Sequence, residues 1–156
     1  MNLVPIMRMG RGPSSRGFTV IELMVTMAVL AILATIAAPN VTSWILSTRV
    51  KAAATDMYGT LIFARSEAIK RSANVSVVPI SAWQGGWQVT AGTTVLKQQD
   101  ALAPTLTIVG PAGAITYQRD GRLSTSATTF TFSAPSNPNV KSKSVVVDLS
   151  GRASVK

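Results

Sequence analysis

The sequence predicts an α+β fold, in which a long N-terminal helix packs on a small, mainly antiparallel β-sheet domain. Three observations predict this fold. An apolar run covers residues 18–38, apolar residues then recur at helical spacing over residues 39–73, and short β-type runs separated by turn residues occupy residues 74–156. Residues 1–17 precede all three, and their arginines, glycines and prolines predict a leader that is not part of the fold.

The apolar run is long enough to cross a bilayer. It reads FTVIELMVTMAVLAILATIAA and carries one charge, at Glu22, and about twenty apolar residues suffice for a membrane-spanning helix. The leader contains three arginines and no acidic residue, so the positive-inside rule places the N-terminus in the cytoplasm and the residues after Asn40 outside it. We therefore predict a transmembrane helix at 18–38, in contact with lipid, followed by a periplasmic domain.

A secretory signal peptide is the alternative interpretation of this region, since Ala37 and Ala38 are small residues of the kind found before a cleavage site. Two features oppose it. The apolar run exceeds the roughly seven to fifteen residues of a signal-peptide core, and Glu22 lies within its first turns, where such cores are uncharged.

The helix is predicted to continue beyond Pro39, which lacks an amide hydrogen and therefore kinks or interrupts a helix. The following residues favour an amphipathic helix that ends between Arg71 and Asn74 and buries one stripe against the domain. The predicted stripe comprises Val41, Trp44, Ile45, Ala52, Ala53, Met57, Leu61, Ala64 and Ala68.

The remaining chain reads as short strands joined by tight turns. The predicted strands are 75–80, 87–90, 106–109, 115–118, 128–133 and 144–149. Glycine supplies the positive φ that tight turns need, which favours turns at Gly85-Gly86, Asp120-Gly121 and Ser150-Gly151. Trp83 and Trp87 flank the first turn, and we predict that they pack in the core rather than form an exposed binding platform.

The composition argues against an enzyme. The chain contains no cysteine and no histidine, so it lacks thiolate nucleophiles, imidazole bases and the preferred zinc ligands. Its six acidic residues show no recognisable spacing. We therefore expect no catalytic residues, no metal and no cofactor, while the net charge of +9 favours anionic partners such as lipid headgroups or nucleic acid.

The most specific motif is the octapeptide RGFTVIEL at residues 16–23. Gly17 leaves the backbone open to a protease, and Arg16 keeps that peptide bond near the cytoplasmic surface. A carboxylate such as Glu22 costs about 2 to 4 kcal/mol at the bilayer centre, so it needs a partner or a shallow position. The partner is either the N-terminus of its own helix or a new amino terminus at Phe18.

This octapeptide resembles the processing site of type IV prepilins and type II secretion pseudopilins. The resemblance implies a type IV pilin-like fold, cleavage between Gly17 and Phe18 by a prepilin peptidase, and N-methylation of Phe18. It also implies that Glu22 and Pro39 act in assembly, with Glu22 meeting the Phe18 amine of a neighbouring subunit. Capping of its own helix by Glu22 is the open alternative.

Further along the chain the resemblance narrows to the GspH/FimT subfamily. The matching segments are 66–71, 86–89, 115–117 with Gly121, and 147–152. The implied protein is a minor pilin of a type IV pilus, located in the bacterial inner membrane and then in the filament. Its implied partners are the prepilin peptidase, major and minor pilins or pseudopilins, and the inner-membrane assembly platform. An H-type minor pseudopilin of a type II secretion system and a periplasmic binding protein released by signal peptidase are the alternatives.

One departure from the subfamily is the absence of a cysteine pair that many relatives carry near the C-terminus. The loop at 133–144 must then be held by other means or be mobile.

Basic residues near the predicted turns suggest contact with DNA, because some FimT-like minor pilins are implicated in DNA capture. Residues 40–156 contain twelve basic and five acidic residues. Binding through them would be independent of sequence and sensitive to salt; a solvated face that discourages edge-to-edge strand pairing is the simpler interpretation. The candidate residues are Arg119, Arg122, Lys141, Lys143, Arg152 and Lys156.

Overall fold

The computed structural model describes residues 17–156, except for the side chains of residues 36–40. The predicted leader therefore lies outside the described residues apart from Gly17. The chain divides into two compact units, Met1–Ala38 and Pro39–Lys156.

A single α-helix, α1, spans Val20–Arg71. Thr19 caps its first turn, where the Thr19 Oγ1 accepts a hydrogen bond of 3.3 Å from the Glu22 amide. The helix ends as predicted: Ser72 has a φ of 50°, and the Ala73 and Ser72 amides donate to the carbonyls of Ala68 and Ile69 at 3.2 Å each. This is the bonding pattern of a Schellman cap. The helix runs through position 39 without an interruption.

The first unit is an exposed apolar helix. Every described residue from 17 to 35 is exposed, and Phe18 has 81% of its surface accessible. In the described part of the chain, no helix is long and apolar enough to cross a membrane. The side chains of 36–38, the last positions of the predicted span, are outside the described residues, and the transmembrane assignment stays a prediction.

The second unit contains eight strands and a short 3-10 helix at Trp83–Gly85. They form two antiparallel four-stranded sheets, with the orders β3-β2-β1-β5 and β4-β6-β7-β8. The predicted α+β class is confirmed, but the single expected sheet is in fact two. The strands are β1 (Val75–Pro79), β2 (Trp87–Ala91), β3 (Thr94–Gln99), β4 (Thr107–Val109), β5 (Ile115–Tyr117), β6 (Thr128–Ser133), β7 (Lys143–Val147) and β8 (Ala153–Val155).

One continuous core joins both sheets to α1. The register of the predicted helix stripe is partly wrong, because Val41, Trp44, Ile45 and Ala52 are exposed. The residues that α1 buries in the core are Leu46, Val50, Ala53, Ala54, Met57, Leu61, Ala64 and Ala68.

The two tryptophans beside the first turn belong to this core. Trp83 and Trp87 are 6% and 1% exposed. The Trp87 Nε1 donates to the Thr60 Oγ1 at 3.2 Å, and the Trp83 Nε1 donates to the Pro111 carbonyl at 2.7 Å. Their core packing was correctly predicted, and neither is free to serve as a binding platform.

The loop at 133–144 is held without a disulfide. Asn137 organises it: its amide donates to the Ala134 carbonyl at 3.0 Å, its Oδ1 accepts from the Asn139 amide at 3.1 Å, and its Nδ2 donates to the Ser43 Oγ on α1 at 3.0 Å. Ala134 is also buried in the core. Local hydrogen bonds and two buried apolar residues, Ala134 and Val140, thus hold the loop without the cysteine pair.

Candidate functional site

The predicted cleavage site lies just outside the helix. Residues 17–19 are not helical, and the first helical hydrogen bond runs from the Leu23 amide to the Thr19 carbonyl at 3.2 Å. No atom lies within 4 Å of the position that a Cβ on Gly17 would occupy. The peptide bond between Gly17 and Phe18 therefore lies in non-helical backbone, and its cleavage stays a prediction.

Glu22 lies in the first turn of α1, three residues after the capping Thr19. This is the spacing of a capping box, and the positive end of the helix dipole favours a carboxylate there. Glu22 is exposed and forms no ion pair with any described residue. The geometry gives its helix-capping role a physical basis, while its predicted contact with a neighbouring Phe18 amine stays a prediction. The same holds for the assembly role of Pro39, whose side chain is not described.

The second half of α1 carries a stripe of exposed, uncharged residues that sequence analysis missed. Their positions alternate in steps of three and four residues, as in the packing seam of a coiled coil. All of them are exposed, and they lie on the face that the sheets leave open. We call these residues the exposed stripe: Ile45, Thr48, Ala52, Thr55, Gly59, Ile62, Ser66 and Ile69.

The hydroxyl groups of this stripe donate hydrogen bonds to backbone carbonyls of the same helix. Thr48 and Thr55 donate to carbonyls one turn earlier at 3.0 and 2.9 Å, and Ser66 does so at 2.8 Å. No atom lies within 4 Å of a Cβ built on Gly59, so another helix could approach the backbone closely at this point.

Three of the predicted basic residues come together on two adjoining turns. Arg119 and Arg122 flank the turn after β5, and Arg152 follows the turn between β7 and β8; all three are exposed. Gly121 and Gly151 have φ values of 78° and 79°, and a Cβ on Gly151 would overlap the Gly121 carbonyl. The turns therefore touch, and we call this region the arginine turns.

The two carboxylates of the arginine turns, those of Asp120 and Asp148, accept hydrogen bonds from within the turns. The Asp120 Oδ1 accepts from the Arg122 amide at 3.0 Å. The Asp148 Oδ1 accepts from the Ser150 hydroxyl at 2.6 Å and from the Arg152 amide at 3.0 Å, and these bonds, with that of Ser150 first, hold the pKa of Asp148 below its ordinary value. The three arginine side chains form no ion pair within the described residues.

Arg65, which sequence analysis did not single out, lies beneath the arginine turns. Its Nε is 3.2 Å from the position of a Cβ on Gly121. Both this nitrogen and the Tyr117 hydroxyl are buried without a hydrogen-bond partner among the described residues, and burial raises the pKa of Tyr117. No sequence signal indicated this contact, because Arg65 lies on α1, far from the turns along the chain.

The three predicted lysines lie at the other end of the β7–β8 hairpin. Lys143 begins β7, and Lys156 forms two backbone hydrogen bonds with Ser144, at 2.8 and 3.1 Å. Lys141 precedes β7. Since β7 has five residues and a strand rises about 3.3 Å per residue, the six predicted cations form two separate groups rather than one patch.

Comparison with known proteins agrees with the fold and the N-terminal motif. The family described as type II transport protein GspH matches residues 53–151, and the prokaryotic N-terminal methylation motif matches residues 13–38. No curated protein sequence gives a significant match.

Two solved structures, one of a minor pilin and one of a minor pseudopilin, share the fold. The type IV minor pilin FimU of Pseudomonas aeruginosa is 21% identical, covers 70% of this chain and 89% of its own, and superimposes with a TM-score of 0.63. The minor pseudopilin EpsH of the Vibrio cholerae type 2 secretion system is 17% identical, covers 69% and 96% of the two chains, and gives a TM-score of 0.55. The family match spans most of the second unit, and the chain therefore belongs to the GspH family of type IV pilin-like proteins.

Proposed function

We propose that this chain is a structural subunit, a minor pilin, of a type IV pilus, rather than an enzyme. It is anchored in the inner membrane by residues 18–38, cleaved between Gly17 and Phe18 by a prepilin peptidase, methylated at Phe18, and assembled through α1 with other pilins at the assembly platform. The observation that carries the assembly is the exposed stripe, a continuous row of uncharged side chains on the uncovered side of α1, with Lys51 and Lys70 beside it.

The chemistry of the exposed stripe supports helix packing. A helix that buries one face in its own domain normally presents charged and polar groups on the other. Here the exposed stripe consists of three isoleucines, small or hydroxyl side chains and Gly59, and its hydroxyls are already bonded. Small residues let two helix backbones approach closely, which increases the van der Waals contact between the packed faces.

Glu22 is proposed to set the register of assembly by meeting the methylated Phe18 amine of the neighbouring subunit. Glu22→Ala removes a charge from an apolar segment, so membrane insertion should persist while incorporation into filaments falls. Glu22→Gln is the matched control, because it keeps the size and polarity of the side chain but not the charge. Full incorporation of both variants into sheared filaments would show that Glu22 serves only its own helix.

A minor pseudopilin of a type II secretion system is the alternative within the same family, since EpsH shares the fold. Deletion of the gene, followed by complementation, distinguishes a pilus subunit from a secretion-system subunit. Deleting the gene should abolish piliation and leave protein secretion intact, whereas loss of secretion with normal pili would establish the pseudopilin. A binding protein released by signal peptidase would instead be recovered free of membranes.

Contact with DNA is a second candidate activity, favoured by the arginine turns. Three exposed cations without ion pairs on adjoining turns match the requirements for contacting phosphates. Arg119→Gln with Arg122→Gln should weaken DNA retention in a gel shift and flatten its salt dependence, whereas Lys141→Gln, in the distant group, should have a smaller effect. Absence of binding by the unmodified protein at low salt would exclude this activity.

A further inference from the structure

A group of three lysines lies at one end of the second unit. We call Lys141, Lys143 and Lys156 the lysine group. Asn137 marks this end, because its Nδ2 donates to the Ser43 Oγ on α1 at 3.0 Å. The Asn137 carbonyl also accepts from the Val140 amide at 3.1 Å, which closes a turn whose first and fourth Cα atoms lie within about 7 Å of each other. Lys141 follows this turn directly, so its backbone lies within about 11 Å of Asn137.

The other two lysines stay close to Lys141, and the charge of the group is not neutralised. Lys143 begins β7, and Lys156 forms two backbone hydrogen bonds with Ser144, at 2.8 and 3.1 Å. Lys141 and Lys156 are exposed, and Lys143 is half-buried. The group forms no ion pair with any described residue, and residues 121–147 contain no acidic residue. The lysine group is therefore a positive surface that favours an anionic partner.

The covalent chain brings this end of the second unit close to the predicted membrane span. Ser43 is five residues after Ala38, the last residue of that span, and five residues reach at most about 18 Å. The arginine turns, by contrast, contact α1 at Arg65 and Ile69. Arg65 is 22 residues beyond Ser43, which corresponds to about 33 Å along a helix. Of the two basic groups, the lysine group is therefore the one nearer to the point where the chain leaves the predicted span.

An exposed tryptophan lies at the same end of the unit. Trp44 follows Ser43 in the chain and has 69% of its surface accessible, although sequence analysis predicted it to be buried. Trp83 and Trp87, the other two tryptophans, lie in the core. Tryptophan combines an apolar ring with a polar N–H group and is enriched at the boundary between membrane and water. The exposure of Trp44 therefore has a physical reason if this end of the unit meets that boundary.

We propose that the lysine group and Trp44 form a surface that docks on anionic lipid headgroups while the chain is anchored in the membrane. The inference rests on the proposed function, because the predicted span at 18–38 is what brings this surface to the bilayer. The ammonium groups contact headgroup phosphates, and each lysine near an anionic membrane surface strengthens binding roughly fivefold. A nucleic acid offers the same phosphate chemistry, but no covalent connection holds it at this end of the unit.

Site-directed fluorescence in the full-length chain tests this docking, because the chain has no natural cysteine. Ser142→Cys lies within the lysine group and Gln118→Cys lies beside the arginine turns; both residues are exposed, and neither substitution changes a charge. Each variant is labelled with a fluorescent maleimide and inserted into lipid nanodiscs that contain a headgroup-linked quencher. In nanodiscs of mixed phosphatidylglycerol and phosphatidylcholine, quenching should be strong at position 142 and weak at position 118. In phosphatidylcholine alone, quenching at position 142 should fall.

Removal of charge then tests the lysines on the Ser142→Cys background. Lys141→Gln with Lys156→Gln should lower the ratio of docked to undocked chains at least about tenfold on the anionic nanodiscs. Arg119→Gln with Arg122→Gln is the matched control, because it removes the same charge at the arginine turns. The control should change the ratio by less than about twofold, since its distance from the lysine group exceeds the Debye length of about 8 Å. Melting temperatures close to that of the parent would establish that both variants fold.

The outcomes separate lipid docking from the proposed function. If the chain inserts into nanodiscs but quenching at position 142 depends neither on phosphatidylglycerol nor on the lysines, docking is wrong and the structural role stands. If the lysine variant leaves quenching unchanged but weakens DNA retention in a gel shift more than the arginine variant does, the lysine group is a nucleic-acid surface and lipid docking is excluded. Failure of the unmodified chain to insert into nanodiscs would overturn the predicted membrane anchor and the docking together.

Discussion

Gly59 lies at the centre of the exposed stripe, and Gly59→Leu should separate stability from assembly. Glycine in a helix interior is about 1 kcal/mol less favourable than alanine, and leucine is close to alanine. No atom lies within 4 Å of a Cβ at this position, so the substitution introduces no clash within the unit. The free energy of unfolding should therefore rise by about 0.8 kcal/mol, which corresponds to a melting temperature roughly 3 to 5 °C higher for a unit of this size.

The effect of Gly59→Leu on assembly should have the opposite sign. A leucine at the closest point of approach forces the packed helices apart, and such overpacking costs about 1 to 3 kcal/mol. Incorporation into filaments should therefore fall at least about fivefold. Gly59→Ala is the matched control, because it gives the same gain in stability with a single methyl group and should lose much less incorporation.

Two measurements on the same variants check this prediction. Circular dichroism of the purified protein in detergent gives the melting temperature, and immunoblotting of sheared filaments against whole cells gives the incorporated fraction. A lower melting temperature for Gly59→Leu would show that the site is packed within the unit. Incorporation equal to that of the unmodified protein would refute the role of the exposed stripe.

Three further predictions concern the second unit. Thr60→Val leaves the Trp87 indole nitrogen unpaired in the core and should destabilise the protein by about 1 to 3 kcal/mol in urea unfolding, whereas Thr60→Ser should retain the bond. Gly151 has a φ of 79°, and a Cβ at this position would overlap the Gly121 carbonyl, so Gly151→Ala should lower the free energy of unfolding by at least about 2 kcal/mol in the same assay. Gly113 has no atom within 4 Å of its Cβ position, so Gly113→Ala should change the free energy of unfolding by less than about 0.5 kcal/mol. The hydrogen bond from Arg71 holds the pKa of Glu67 below its ordinary value, so the ionised Glu67 stabilises the fold at pH values above the ordinary carboxyl pKa, and this stabilisation is lost as the pH falls through the lowered pKa. Glu67→Gln should therefore flatten the decline in stability at acid pH, measured by urea unfolding. An unchanged pH profile would contradict this prediction.

The elements with clear local signals were predictable. The helix end between Arg71 and Asn74 follows from polar residues that precede a β-type run. The turns at Gly121 and Gly151 and most strands follow from glycines and from β-type runs that act over a few positions. The strand β3 escaped detection because its sequence TVLKQQ has no alternation of buried and exposed residues and lies at a sheet edge. The division into two sheets depends on which strands pair, and the sequence of a single strand does not determine its partner.

The candidate site was predictable only in part. The sequence placed Gly17, Phe18 and Glu22 at the start of the helix, because that motif is contiguous. The grouping of Arg119 and Arg122 with Arg152, and the separation of the lysines, depend on the packing of Gly151 against Gly121. The exposed stripe escaped detection because tertiary packing decides which helix face the sheets cover. The prediction took Val41, Trp44, Ile45 and Ala52 as buried, whereas the rest of the predicted stripe does lie in the core.

The mass of the mature N-terminal peptide tests the central claim most directly. The protein should be isolated from the membrane and filament fractions, digested and sequenced by mass spectrometry. The account predicts a first residue of Phe18 carrying one added methyl group on its amine. A mature chain that begins at Ala38 or beyond, or one that retains residues 1–17 in the filament, would contradict it.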